Sequence, residues 1–194
     1  INYVSCHDDP CVVDKLKATI PNIKEQELLA MDKLAQTIVF TSQGVPFMYA
    51  GEEVFRDKKG VHNSYISPDS INAIDWSRKA KYRDLFDYYK NLIALRKAHP
   101  AFRMTSAEMV AKHLVFDAKT PKNVVAYTLN DNANGDIWRT ILVIFNGNRK
   151  PVSYTLPSGK WTAVCRHGKI DEQGLGQVSG QLKIGASEAV ILFQ

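Results

Sequence analysis

Two short stretches of this chain hold residue types that do chemistry. The first is His7-Asp8-Asp9, directly after the apolar run Ile1 to Cys6, and the second is Gly51-Glu52-Glu53, directly after Val45 to Ala50. An imidazole beside carboxylates suits general acid–base work, metal binding or recognition of sugar hydroxyls. An ionised carboxylate only accepts hydrogen bonds, and so can grip vicinal hydroxyl pairs. The same residues at a strand end also form networks that merely fix a loop. The residues alone leave these readings open. No GxSxG, HExxH, P-loop or dinucleotide-binding glycine signature is present.

The surrounding pattern says what must position these groups. Ile1 to Cys6 reads as a strand, followed by a loop containing Pro10 and Pro21. From Lys24 to Ser42, the residues Leu28, Met31, Leu34, Ala35 and Ile38 recur at helical spacing, and Gln43-Gly44 stops the helix. Val45 to Ala50 reads as a second buried strand, and a long polar loop runs from Gly51 to about Lys79. A second helix, from about Lys81 to Ala98, carries Tyr82, Leu85, Phe86, Tyr89, Leu92 and Ile93 on one face, and Pro100 ends it. Strand–helix–strand–helix with buried strands predicts a parallel sheet covered by helices. On such a scaffold the C-terminal strand ends form the functional face, so both acidic stretches are expected on one rim.

Past Pro100 the pattern changes to short β-type runs. They are His113 to Phe116, Val124 to Leu129, Thr140 to Phe145, Val152 to Leu156, Trp161 to Cys165, Gln177 to Leu182 and Ala189 to Phe193. Asn134-Gly135, Asn146-Gly147 and Ser158-Gly159 supply turns between them, which predicts antiparallel hairpins and a sandwich. The loop Asn130 to Asp136 looks like the front of a calcium loop, but its twelfth position is Ile141 where a bidentate Glu is needed. A hairpin turn is the reading adopted.

Composition excludes several classes. The 194 residues are 45% hydrophobic and 23% charged, as in ordinary globular proteins, so no disordered or coiled-coil class is implied. No apolar run approaches the roughly 18–20 residues that span a bilayer, so a soluble protein with no membrane partner is expected. There is no initiating Met and no signal-peptide pattern, and residue 1 already lies in a strand-like run. The start therefore reads as a cut, and no compartment is assigned. Net charge is +5. It is spread out, and the clusters Arg78-Lys79-Lys81-Arg83 and Arg56-Lys58-Lys59 have acids nearby, so no nucleic-acid partner is expected. Cys6, Cys11 and Cys165 fit neither CxxC nor a zinc pattern. Free thiols, no metal and no cofactor are expected.

Tyr3-Val-Ser-Cys-His-Asp8 resembles a conserved region of the α-amylase superfamily of glycoside hydrolases, where the His and Asp close the seventh barrel strand. Gly44 to Glu53 resembles that superfamily's eighth strand. Lys58 to Trp76 and Leu95 to Met104 are more specific, and resemble type I pullulanases, which cleave α-1,6 branch links in pullulan, glycogen and starch. The fold this implies is α/β plus all-β. Residues 1–100 would be the last two βα units of a TIM-type (β/α)8 barrel, and residues 101–194 an antiparallel β-sandwich. A barrel needs eight strands, so six would lie upstream in the same parent chain.

The resemblance also assigns roles. Asp8 matches the acid that binds the glucose at the cleavage subsite and stabilises its cation-like transition state. His7 matches the histidine that hydrogen-bonds the same sugar. Asn63, Tyr65, Ser67 and Asp69 would line the substrate groove, while Glu52 and Glu53 brace the rim. The family usually has Asn after the His-Asp pair, whereas this chain has Asp9-Pro10, and a second carboxylate raises the cost of ionising both. Retaining glycosidases need a nucleophile and a general acid about 5–5.5 Å apart. No segment here matches either region, so the chain alone is expected to be inactive. The partner implied is a branched α-glucan. A dimer of the chain is one way to cover the open edges that two isolated barrel units would leave. Two other readings stand beside this one: an α-1,4-acting amylase or branching enzyme, and a non-catalytic glucan-binding module using Trp138 or Trp161.

Overall fold

The computed structural model describes all residues, 1–194. Its helices are α1 (Val12–Thr19), α2 (Glu25–Thr41), α3 (Asp69–Asn72), α4 (Arg78–Lys81), α5 (Arg83–Ala98) and α6 (Ala107–His113). The two long ones, α2 and α5, fall where apolar periodicity predicts. They bury Leu28, Leu34, Val39 and Phe40, and Leu85, Tyr88, Tyr89, Leu92 and Leu95, in one apolar cluster. Four short helices, α1, α3, α4 and α6, escape the sequence reading. In α1, Pro10 and Pro21 flank the helix rather than interrupt it, and Val12 and Val13 turn inward. In α6, the Ser106 hydroxyl caps the first turn by accepting from the Met109 N–H at 3.2 Å.

Nine strands follow: β1 (Leu114–Phe116), β2 (Val124–Leu129), β3 (Ile141–Asn146), β4 (Val152–Thr155), β5 (Trp161–Arg166), β6 (Lys169–Ile170), β7 (Gln177–Val178), β8 (Gln181–Ile184) and β9 (Glu188–Phe193). The large sheet runs β1-β2-β3-β9-β5-β6 with β7 also on β5, and β4-β8 forms a separate pair. Every strand pairing is antiparallel. The expected single run Gln177 to Leu182 is divided at Gly180, whose φ of 68° breaks the extended backbone. β7 thus stays on β5 while β8 crosses to β4.

Alternation along the central strands explains their unbroken apolar runs. Ile141, Val143 and Phe145 of β3, with Ala189 and Ile191 of β9, face the helices. Leu142 and Ile144, with Val190 and Leu192, face β4 and β8 across a second cluster that holds Trp161, Ala163, Tyr154 and Ile184. Helices, large sheet and small sheet are therefore stacked as three layers, and β3 is buried at all of its positions.

The N-terminal half departs from expectation. Ile1 to Cys6 and Val45 to Ala50 do not form strands. They meet in one isolated parallel bridge, Asn2 with Pro46. Asn2 N–H donates to the Val45 carbonyl and Phe47 N–H to the Asn2 carbonyl, both at 2.8 Å. A strand is defined by a continued ladder, and each segment has only this short stretch of partner. The pairing is parallel, and the rest of the fold is helices plus antiparallel sheet. No helix is long and apolar enough to cross a membrane.

Candidate functional site

The bridge sets the two acidic stretches side by side. His7 Nδ1 lies 3.2 Å from Asp8 Oδ1, and both side chains are open to solvent. Asp9 adopts φ 62°, a left-handed conformation that Asp tolerates better than most residues. Its carboxylate meets His62 Nε2 at 3.0 Å. Each of the two carboxylates thus has its own imidazole partner.

A buried lysine ties the same loop down. Lys58 is 2% exposed, and its ammonium donates to the His7 carbonyl at 3.2 Å and to Ser64 Oγ at 2.7 Å. Beneath it, the buried Asp14 of α1 accepts from Lys58 N–H at 2.6 Å and from Gly60 N–H at 2.9 Å. The loop's far end is closed by Asn72, whose amide donates to the Ser64 and Ser67 carbonyls at 2.6 and 2.9 Å. His62 and Ser64 are thereby anchored, and Asn63 and Tyr65, adjoining them, are exposed. Ser67 is half-buried, and Asp69 is exposed as the first residue of α3.

Glu52 is a brace rather than a rim group. It is 1% exposed and accepts from Ser5 Oγ, from Gln36 Nε2 at 2.9 Å and from Tyr49 N–H at 3.2 Å. Burial pushes its carboxyl up to about 6 despite these donors. Glu53 accepts from Gly51 N–H at 3.0 Å. Gly51 sits at φ 94°, and a Cβ there would fall 2.7 Å from Arg56 Cδ. The turn after Ala50 therefore requires glycine.

The sequence reading missed Lys58, Asp14 and His62. Lys58 stands in a run that reads as a solvated basic cluster, and its burial comes from packing with residues far apart in the chain. His62 next to Asn63 was legible only as part of a polar loop. No group of three or more His, Cys, Asp or Glu side chains is arranged to hold a metal ion. All three cysteines are free thiols.

The tryptophans are not open sugar platforms. Trp161 is 2% exposed, and its Nε1 donates to the Pro157 carbonyl at 3.1 Å. Trp138 is 7% exposed and lies between the rings of His99, 3.4 Å away, and Phe193, 4.1 Å away. Its layer is held by Asp136, which accepts from Trp138 N–H and Ala101 N–H and pairs with His99 Nδ1 at 2.9 Å.

The family described as "Pullulanase, all-beta domain" matches residues 110–169. A pullulanase of Bacillus subtilis (strain 168) is 41% identical over 159 residues, covering 81% of this chain and 22% of that protein. The solved pullulanase from Bacillus acidopullulyticus superposes with a TM-score of 0.96 at 46% identity, covering 100% of this chain and 24% of that one. The type I pullulanase from Bacillus subtilis str. 168 complexed with maltose gives a TM-score of 0.92 at 35% identity, covering 99% and 27%. Isoamylases are also among the relatives. These are glycoside hydrolases of the debranching class, acting on α-1,6 links. This chain matches the C-terminal portion of type I pullulanases. It spans about a quarter of the length of the relatives it matches.

Proposed function

We propose that this chain forms one wall of the active site of an α-1,6-glucan debranching hydrolase acting with retention of configuration. Asp8 stabilises the positive charge that develops on the glucosyl ring, and His7 hydrogen-bonds the same sugar. Asn63, Tyr65, Ser67 and Asp69 line the groove that receives the branched chain in pullulan, glycogen or starch. The observation that carries this reading is the rim itself. The exposed His7–Asp8 pair is clamped through Lys58 and His62 to the loop that presents Asn63 and Tyr65. Maltose in the structure of the Bacillus subtilis relative supports an α-glucan as the ligand.

On this reading residues 1–100 are the last two units of a (β/α)8 barrel and residues 101–194 the β-sandwich. The parallel bridge at Asn2 and Pro46 supports it. So do the exposed side chains of Ile1, Tyr3, Val45 and Phe47 around that bridge, which upstream barrel units of the same parent would cover. A second copy of the chain would bury the same face. The nucleophile and general acid reside in those upstream units, so the chain by itself is inactive.

The test is a chimera in which this chain replaces the corresponding portion of the Bacillus subtilis pullulanase. The account predicts reducing-sugar release from pullulan by the chimera, little from amylose, and none from the 194-residue chain alone. Preferential cleavage of amylose would favour an α-1,4-acting amylase instead. Hydrolysis of pullulan by the isolated chain would refute the division of catalytic groups. The buried Trp138 and Trp161 disfavour a sugar-binding module built on these two rings.

A further inference from the structure

A polar row runs through the apolar interior beneath the rim. Tyr89 of α5 donates its O–H to Asp32 Oδ1 of α2 at 2.7 Å. One helical turn further along α2, the Gln36 amide donates to Glu52 Oε2 at 2.9 Å, and Ser5 donates to Glu52 Oε1. Asp32 and Gln36 are both 0% exposed. Two acceptors in this row have no hydrogen-bond partner, Asp32 Oδ2 and Gln36 Oε1. Side chains four residues apart on a helix are neighbours, and a carboxyl–carboxamide pair at that spacing hydrogen-bonds readily. Two unpartnered buried acceptors one helical turn apart are costly, but one proton shared between them satisfies both.

We propose that Asp32 is kept as a neutral carboxylic acid whose O–H is donated to the Gln36 side-chain carbonyl. This completes an unbroken chain Tyr89–Asp32–Gln36–Glu52–Ser5 that fixes the segment leading to His7 and Asp8. Each member then has a definite direction of donation, and both orphaned oxygens gain a partner. The charged groups acting on Asp32 are Glu52, from the turn after Ala50, which opposes its ionisation, and Lys33 on its own helix, which favours it. Tyr89, from α5, donates to Asp32 and is itself held protonated by burial and by the acids around it. Burial is the largest influence on Asp32 and pushes its carboxyl up to about 7. Asp32 acts through Glu52 and Ser5 and is a positioning residue. The proposal stands whether or not the rim binds glucan.

The sign of the pH dependence follows. A carboxyl whose folded value lies above its unfolded one binds its proton more tightly when folded, so its stabilising effect fades as pH rises from about 4 to about 7. The test is Asp32→Asn, because an asparagine can accept from Tyr89 and donate to Gln36 without titrating. Unfolding of both proteins by urea is followed from pH 5 to 8. The proposal predicts that the variant folds. Relative to it, the folding constant of the unsubstituted chain should fall about tenfold per pH unit up to about pH 7. It also predicts, in the difference spectrum of the unsubstituted chain minus the variant, an infrared carboxylic-acid C=O band at pH 5.5 that vanishes by pH 8, the contribution of Glu52 being common to both proteins. Parallel pH curves, absence of the band, or failure of Asp32→Asn to fold would each overturn it. The first two would show an ionised Asp32, and the third a requirement for its charge.

Discussion

At Asp9 the backbone passes through φ 62° and the carboxylate meets His62 at 3.0 Å, so a residue that departs from the family's usual Asn has a local use here. It joins the His7–Asp8 loop to the loop carrying Asn63 and Tyr65 from the outside, while Lys58 joins them from the inside. The two links differ in kind. The Asp9–His62 pair is exposed and screened, so it adds little to stability. The Lys58 ammonium is buried and has specific acceptors. His62→Ala is therefore expected to leave the thermal unfolding midpoint essentially unchanged. In the chimera it should raise KM for pullulan by less than about tenfold, with kcat altered less, because only the groove's placement relaxes. Melting curves and initial rates check this. A large fall in the midpoint would mean that the pair carries the fold and not only the groove.

The elements explain what could and could not be read in advance. α2 and α5 were legible because each buries one face, and a one-faced helix writes its period into the sequence. β3 and β9 were legible as apolar runs, but not as strands covered on both sides by different layers. A run buried twice carries no alternation to show this. α1 was hidden by its prolines, which mark the boundaries of a short helix as readily as those of a loop. Trp138 was ambiguous because it stands beside a polar turn. The structure places it in a stack between His99 and Phe193, with its backbone N–H on the buried carboxylate of Asp136. Trp138→Ala is expected to cost about 3–5 kcal/mol in urea unfolding, as for other large buried aromatics. It should not change migration in a glycogen-containing native gel. Loss of retardation without loss of stability would restore the tryptophan as a sugar platform.

At the scale of the molecule, the chain is unevenly self-sufficient. The sheet half is closed on both faces by α2 and α5 on one side and by β4 and β8 on the other. The N-terminal half is closed by helices and by polar ties, Lys58 and Glu52 among them, yet shows Ile1, Tyr3, Val45 and Phe47 to solvent. The rim was legible from the sequence as residue types. His7 and Asp8 stood out by their place at a segment end, and the resemblance gave them roles. The clamp that orients them was not legible, because Lys58, Asp14, Gln36 and Ser5 come together only through packing. The central claim is that Asp8 stabilises charge in the transition state for α-1,6 cleavage. It is tested most directly by kcat for pullulan in the chimera with Asp8→Asn, an exposed substitution that leaves the shape of the loop intact. The account predicts a fall in kcat of about 10²–10³-fold with the unfolding midpoint unchanged, as when one electrostatic stabiliser is removed from an active site. Retention of kcat within about threefold, less than 1 kcal/mol in the barrier, would contradict it.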